Sequence, residues 1–175
     1  MNSPKLSHPE TTEYAPYYAN YVAQVENPDI ISALENQISE LQGLFASISE
    51  EKGLYSYAEN KWTIKELLGH LIDGERIFAY RAYRISRNDQ TPLSGFEQDD
   101  YIENGYFNDA KLTDLIEEFY LLRKANLIFF KSLKDNAWLY TGTASDVPVS
   151  VRAIAYIMVG HVTHHTNILK AKYLN

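Results

Sequence analysis

The sequence predicts an all-α protein, a four-helix bundle. Four segments repeat apolar residues at three- and four-residue spacing, and no run alternates convincingly with the period of two that a strand requires. The connections between those segments also differ in length in a way that suits a bundle with one long crossover. The chain has 175 residues, of which 45% are hydrophobic, a length and apolar content that one core can use. We read residues 1–27 as a tyrosine-rich N-terminal arm packing on the domain and residues 28–175 as the bundle.

The first segment opens at Asn27-Pro28, read as an N-cap followed by proline at the first helical position. Ile30, Leu34, Ile38, Leu41, Phe45 and Ile48 then recur at helical spacing, and Gly53 follows where a helix would stop. The second begins at Thr63-Ile64-Lys65-Glu66, a capping box, with Trp62 and Leu67 placed to form a hydrophobic staple. Its apolar face runs through Ile64, Leu67, Leu68, Leu71, Phe78, Ala82 and Ile85, ending near Arg87-Asn88. The third carries Leu112, Leu115, Phe119, Leu122, Phe129 and Leu133 on a heptad-like stripe that includes Asn126. The fourth starts after Pro148 and places Val151, Ile154, Ile157, Met158, Ile168 and Leu169 on one side. Each is read as about six or seven turns.

Roughly twenty residues, from Asn88 to Phe107, separate the second and third segments, long for a structureless connection. Phe96, Tyr101, Tyr106 and Phe107 predict that this stretch packs across the bundle. Fully extended it spans up to about 66 Å, more than the ~38 Å of a 25-residue helix, so the second and third helices can run parallel.

Composition narrows the function. The formal net charge of −7 disfavours phosphate backbones and anionic lipid, so neither nucleic acid nor membrane is expected as a partner. The chain has no cysteine, which removes disulfides, thiolate metal sites and a cysteine nucleophile. No stretch reaches the ~18 apolar residues of a membrane span, and the N-terminus lacks a secretory apolar core. A cytoplasmic protein is the expectation.

His161 and His165 are four apart, one helical turn, on the same side as Ile154, Ile157, Met158 and Ile168. His164 falls at the edge of that stripe. A hydrogen-bonded core pair is the plain reading of such residues, but two imidazoles buried side by side need a shared partner, which a divalent metal supplies. His70, on the second helix with Gly74 one turn later leaving room beside its ring, is the candidate third ligand. It lies about seven residues from the start of its helix, and His161 and His165 about eight to twelve from the end of theirs, so their heights coincide only if the two helices are antiparallel. Combined with the long crossover, this gives an up-down-down-up bundle.

Trp62-Thr63-Ile64-Lys65-Glu66-Leu67-Leu68-Gly69-His70-Leu71-Ile72-Asp73 resembles the W-[ST]-x-x-E-x-x-x-H-L opening of the DinB-like superfamily. Ser150-Val151-Arg152 through Gly160-His161-x-x-His164-His165 resembles its closing helix. The run Glu75-Arg76-Ile77-Phe78-Ala79-Tyr80-Arg81 resembles the YfiT-type subgroup, described as metal-dependent hydrolases. The resemblance implies an up-down-down-up bundle binding one divalent transition metal, nickel or zinc above all, at His70, His161 and His165. It carries no implication of DNA polymerase activity. Related members use low-molecular-weight thiols such as bacillithiol or mycothiol, so a thiol cosubstrate is a further candidate.

Other residues are weighed beside these. Glu66 is the capping-box glutamate. Glu75 falls on an apolar face where a lone carboxylate is costly, points about 140° from His70 by the helical wheel, and is expected to pair with an arginine such as Arg123. Asp73 is either an orienting partner of His70 or a solvated aspartate. Asn126 is either a register-setting amide or a pocket donor. Arg76, Arg81, Arg84 and Arg87 are read as a solvated helix end. No P-loop, HExxH, G-x-S-x-G or four-carboxylate di-iron pattern is present. The expected function is a metal-dependent enzyme acting on a small molecule, as hydrolase or thiol S-transferase. The alternative is a non-catalytic metal- or ligand-binding stress-response bundle, and a homodimer through helix faces is a candidate assembly.

Overall fold

In the computed structural model, which describes residues 7–174, four long helices form the bundle: α2 (Ile30–Ala46), α3 (Ile64–Ser86), α5 (Leu112–Lys131) and α6 (Val151–Ile168). Two short helices, α1 (Ala19–Ala23) and α4 (Gln98–Gly105), lie before the bundle and inside the long crossover. A hairpin of β1 (Thr141–Ala144) and β2 (Val147–Ser150) joins α5 to α6.

Local chemistry sets the helix ends. Thr63 caps α3 through the expected box: its Oγ1 accepts the Glu66 N–H at 3.1 Å and Glu66 Oε2 accepts the Thr63 N–H at 2.7 Å. The start of α2 differs from the expectation. Asn27 Oδ1 accepts the N–H of Asp29 in an Asx turn, which leaves Pro28 outside the helix, and Asp29 caps by accepting the Ser32 N–H at 3.1 Å. That helix stops at Ala46, well before Gly53, and with 17 residues it is shorter than expected. The buried face of α5 is also turned relative to the predicted stripe. Arg123, Leu127 and Phe130 are buried, while Leu122, Asn126 and Phe129 are half-buried. The hairpin escapes a search for alternation because its strands have four residues each.

Contacts along the helices fix their directions. On α3 and α5, Lys65 Nζ donates to Ala110 O near one end, Glu75 meets Arg123 midway, and Tyr83 packs on Phe129 beyond, so the two run parallel. Glu50 accepts the Leu112 N–H while Glu35 meets Lys131, so α2 and α5 are antiparallel. Tyr173 Oη, in the π-helical turn that continues α6, donates to Trp62 O just before α3, so α3 and α6 are antiparallel. The order is up-down-down-up. The crossover is structured. Asn108 bonds both Thr63 and Glu66, and the Phe107 ring lies where a side chain on Gly69 would stand.

Two features hold this arrangement. The first is buried and polar: the fully buried Arg123 donates Nε to Glu75 Oε2 at 2.9 Å and Nη1 to Gln37 Oε1 at 2.9 Å. Asn126 donates to the same Glu75 oxygen, and Gln37 Nε2 donates to Val159 O at 2.9 Å, so the network touches all four bundle helices. The second is the N-terminal segment. Glu13 accepts from Ser150 Oγ at 2.6 Å and Arg152 Nε at 2.8 Å, and Val22 is buried in the α6 cluster. The backbone of Tyr21 occupies the space beside Gly160, where a Cβ would come within 2.0 Å of Tyr21 O.

Removing one member of a buried ion pair strands the other. We expect Glu75→Gln to destabilise the fold by about 3–5 kcal/mol in urea titration, and Glu75→Leu with Arg123→Met to recover most of it. Two opposing effects act on the Glu13 carboxyl. Burial raises it, and the Arg152 and Ser150 hydrogen bonds outweigh this and bring it down to about 2. Its stabilising contribution is therefore complete above the ordinary value of 4.5 and lost as pH falls toward 2. Glu13→Gln should lower the melting temperature at pH 7 by about 2–4 °C, for roughly 1 kcal/mol after solvent screening, with the difference vanishing as the pH approaches 2.

Candidate metal centre

The middle of α6 is buried on nearly every side, since Ala153 to Val162 are all buried. The helix lies against α1, α2 and α3, and His161 and His165 project from it toward α3. His70, seven residues into α3, meets them. The three rings stand with centroids 4.7 Å apart in every pairing. His161 Nε2 and His70 Nε2 are 2.8 Å apart, and one nitrogen from each of the three lies within 4.8 Å of the others. That is the scale on which metal–nitrogen bonds of about 2.0–2.1 Å join donors after a small ring rotation.

The three residues are 6%, 4% and 9% exposed, which decides their charge. Burial pushes His70 down to about 4. Burial, then the neighbouring His70 and His164, takes His165 to about 3. His161 falls well below its ordinary value, through burial first and then His165, His70, His164 and Arg123. All three are neutral at pH 7 and keep a lone pair to donate. Among the described residues His165 Nε2 is buried without a hydrogen-bond partner, an expensive state for a polar atom in a protein interior. A divalent transition ion relieves that cost, and an all-imidazole donor set fits zinc, nickel, copper or iron better than the oxygen-seeking calcium or magnesium.

Aromatic and small residues shape the site. Trp62 lies 4.8 Å from His70, ring centre to ring centre, and Phe78 and Tyr21 lie 5.6 and 5.5 Å from His161. The space at Gly74 serves His161 and not His70 as expected: a Cβ there would meet His161 Cε1 at 2.9 Å. A cavity of about 300 Å³ opens beside His70 and His161, walled by Tyr17, Tyr18, Phe78 and Phe96. A second cleft reaches His165 past Trp62 and Tyr173. Gln98 and Asp99, at the start of α4, line both.

The remaining sequence candidates divide clearly. His164 is half-buried against Tyr21 and His165 and lies outside the trio. Asp73 is half-buried, its carboxyl raised by burial beside Arg76 and Glu118, and among the described residues no hydrogen bond joins it to His70. Glu75, Arg123 and Asn126 belong to the buried network. Sequence reasoning missed the arm tyrosines Tyr17, Tyr18 and Tyr21 as cavity walls, and Trp62, whose staple position concealed its contact with His70. It also missed Arg81, which is 5% exposed and is no part of a solvated helix end. Only the density of tyrosines in the arm signalled any of this.

The family model described as the DinB superfamily matches residues 33–169, and the chain belongs to that superfamily. No curated protein matches the chain. Among solved structures it is similar to YfiT from Bacillus subtilis, described as a probable metal-dependent hydrolase with an unusual four-helix bundle topology. The two share 15% identity and superpose with a TM-score of 0.73 over 90% of this chain and 93% of YfiT. At that identity the likeness shows the fold.

Proposed function

We propose that the protein is a metal-dependent enzyme acting on a small molecule, with His70, His161 and His165 holding one divalent transition ion, zinc or nickel. The observation that carries this reading is the trio itself: three neutral, buried imidazoles from two helices, one with a partnerless nitrogen, beside a cavity open to a small molecule. Three protein ligands are the number found in catalytic zinc sites, whereas structural sites usually have four. The name given to YfiT supports the same class. A bound ion of this kind lowers the pKa of a coordinated water toward ~7.

The chain's own residues supply the surroundings for hydrolysis. The tyrosines of the arm and Phe78 and Phe96 give a substrate an apolar wall beside His161. Trp62, Phe78 and Tyr21 hold the imidazoles in orientation. Asp99 and Glu97 stand exposed at the rim of the same cavity. The compartment we propose is the cytoplasm. No described helix is long and apolar enough to cross a membrane.

The purified full chain should contain about one equivalent of transition metal by elemental analysis. His161→Ala should lose most of it, because removing one of three ligands weakens binding by orders of magnitude. Hydrolysis across a panel of nitrophenyl esters should follow metal content through chelation and reconstitution. Metal-free wild type, or equal metal in the variant, would overturn the assignment.

A further inference from the structure

Among the described residues Arg81 is a buried cation without a carboxylate partner. Its side chain is almost wholly covered, at 5% exposure for the residue. Among the described residues the other buried cations have carboxylates: Arg123 meets Glu75 and Lys65 meets Glu50. Arg81 has none within ion-pair distance. Its Nη2 donates to Ser94 O at 2.9 Å and to Ser145 Oγ at 3.0 Å, and the Tyr18 hydroxyl stands beside it. Neutral acceptors do not repay the removal of a full charge from water, so this position favours an arriving anion.

The surroundings say where an anion would sit. Ser145 and Tyr18, the partners of Arg81, line the same cavity as His70 and His161. Arg81 itself borders the neighbouring groove, and Phe96 lines both spaces, so the guanidinium stands at their junction. Ser145 is delivered there by the two-residue turn of the β1–β2 hairpin. It and Asp146 have φ of 52° and 63°, in the left-handed region that costs a residue with a Cβ. The turn is pinned to the crossover, since Ser145 N donates to Leu93 O at 2.9 Å.

Resting on the reading of the trio as a metal site, we infer that Arg81 anchors a carboxylate of the substrate, with Ser145 and Tyr18 beside it. A single guanidinium presents a planar fork and one positive charge, which match one carboxylate. Gly74, under the His161 ring, and Arg81 are two turns apart on α3, about 10 Å, so a ligand held at Arg81 reaches the histidines with its other end. Tyr18, Phe78 and Phe96 favour a flat, apolar body between the two ends. The substrate class is a small carboxylic acid whose reacting bond lies several bonds from the acid group.

Calorimetric titration of the full chain as purified, with benzoate against its neutral counterpart benzamide, tests this. Wild type should prefer benzoate by about tenfold or more, the scale of a charged hydrogen bond. Arg81→Gln should abolish the preference, and Arg84→Gln, an arginine paired with Asp89, should keep it. No preference in wild type, or a preference surviving in Arg81→Gln, would overturn the inference. Metal content measured on the same samples separates the two readings: a preference lost in Arg81→Gln with no metal present sinks the metal site alone. Should Arg81→Gln fail to fold, the Nε–H resonance of Arg81 in labelled wild type, identified by its loss in Arg81→Lys, decides. Its displacement by benzoate and not by benzamide supports the anchor, and an unmoved resonance overturns it.

Discussion

Three imidazoles in contact, delivered from two helices that run in opposite directions, set the terms for the rest of this bundle. Polar rings cannot be buried together at arbitrary heights, so α3 and α6 must be antiparallel and level near His70 and His161. Because the short hairpin also sets α5 antiparallel to α6, the crossover must return the chain to the start of α3 before α5 begins, which Asn108 and Phe107 accomplish by docking on Thr63, Glu66 and Gly69. Close approach needs space as well. Gly74 gives it to the His161 ring, and Gly160 gives it to the backbone of the arm.

The Glu75–Arg123 network supplies the rotational setting. Gln37 links Arg123 to Val159 O, two residues before His161, so a turn of α6 about its axis would break buried hydrogen bonds as well as separate the imidazoles. Hydrophobic packing alone tolerates such slips at modest cost, while a buried charged network punishes them through unpaired groups. Packing gives the bundle its stability, and the polar network gives it one register. The arm then closes the site from outside, through Tyr21 against His161 and Glu13 against the cap of α6.

Much of this was legible in the sequence because it is local. The capping box at Thr63, the i,i+4 pair at His161 and His165, and the length of the crossover each encode a geometric fact within a few residues, and together they give the helix directions. What was not legible depends on distant partners. The face of α5 turned because Arg123, polar by type, is buried against a glutamate 48 positions away. Arg81 read as a solvated helix end because nothing near it in sequence shows that Ser94 and Ser145 would enclose it. The hairpin lacked the Asn-Gly signal of its turn type, Ser145 and Asp146 taking the left-handed conformations that Asn-Gly adopts most readily. The tyrosines of the arm became cavity walls only once α1 was laid on α6.

Cobalt substituted into the full-length chain and titrated with a small thiol tests the central claim most directly. If three histidines hold the ion and leave a position open to the cavity, the visible spectrum should show a low-coordinate cobalt site, and a sulfur-to-cobalt charge-transfer band should grow in while the metal stays bound. Cobalt that is taken up but gives no spectral response to the thiol would mean a closed shell, and the account of an open three-histidine centre would be wrong.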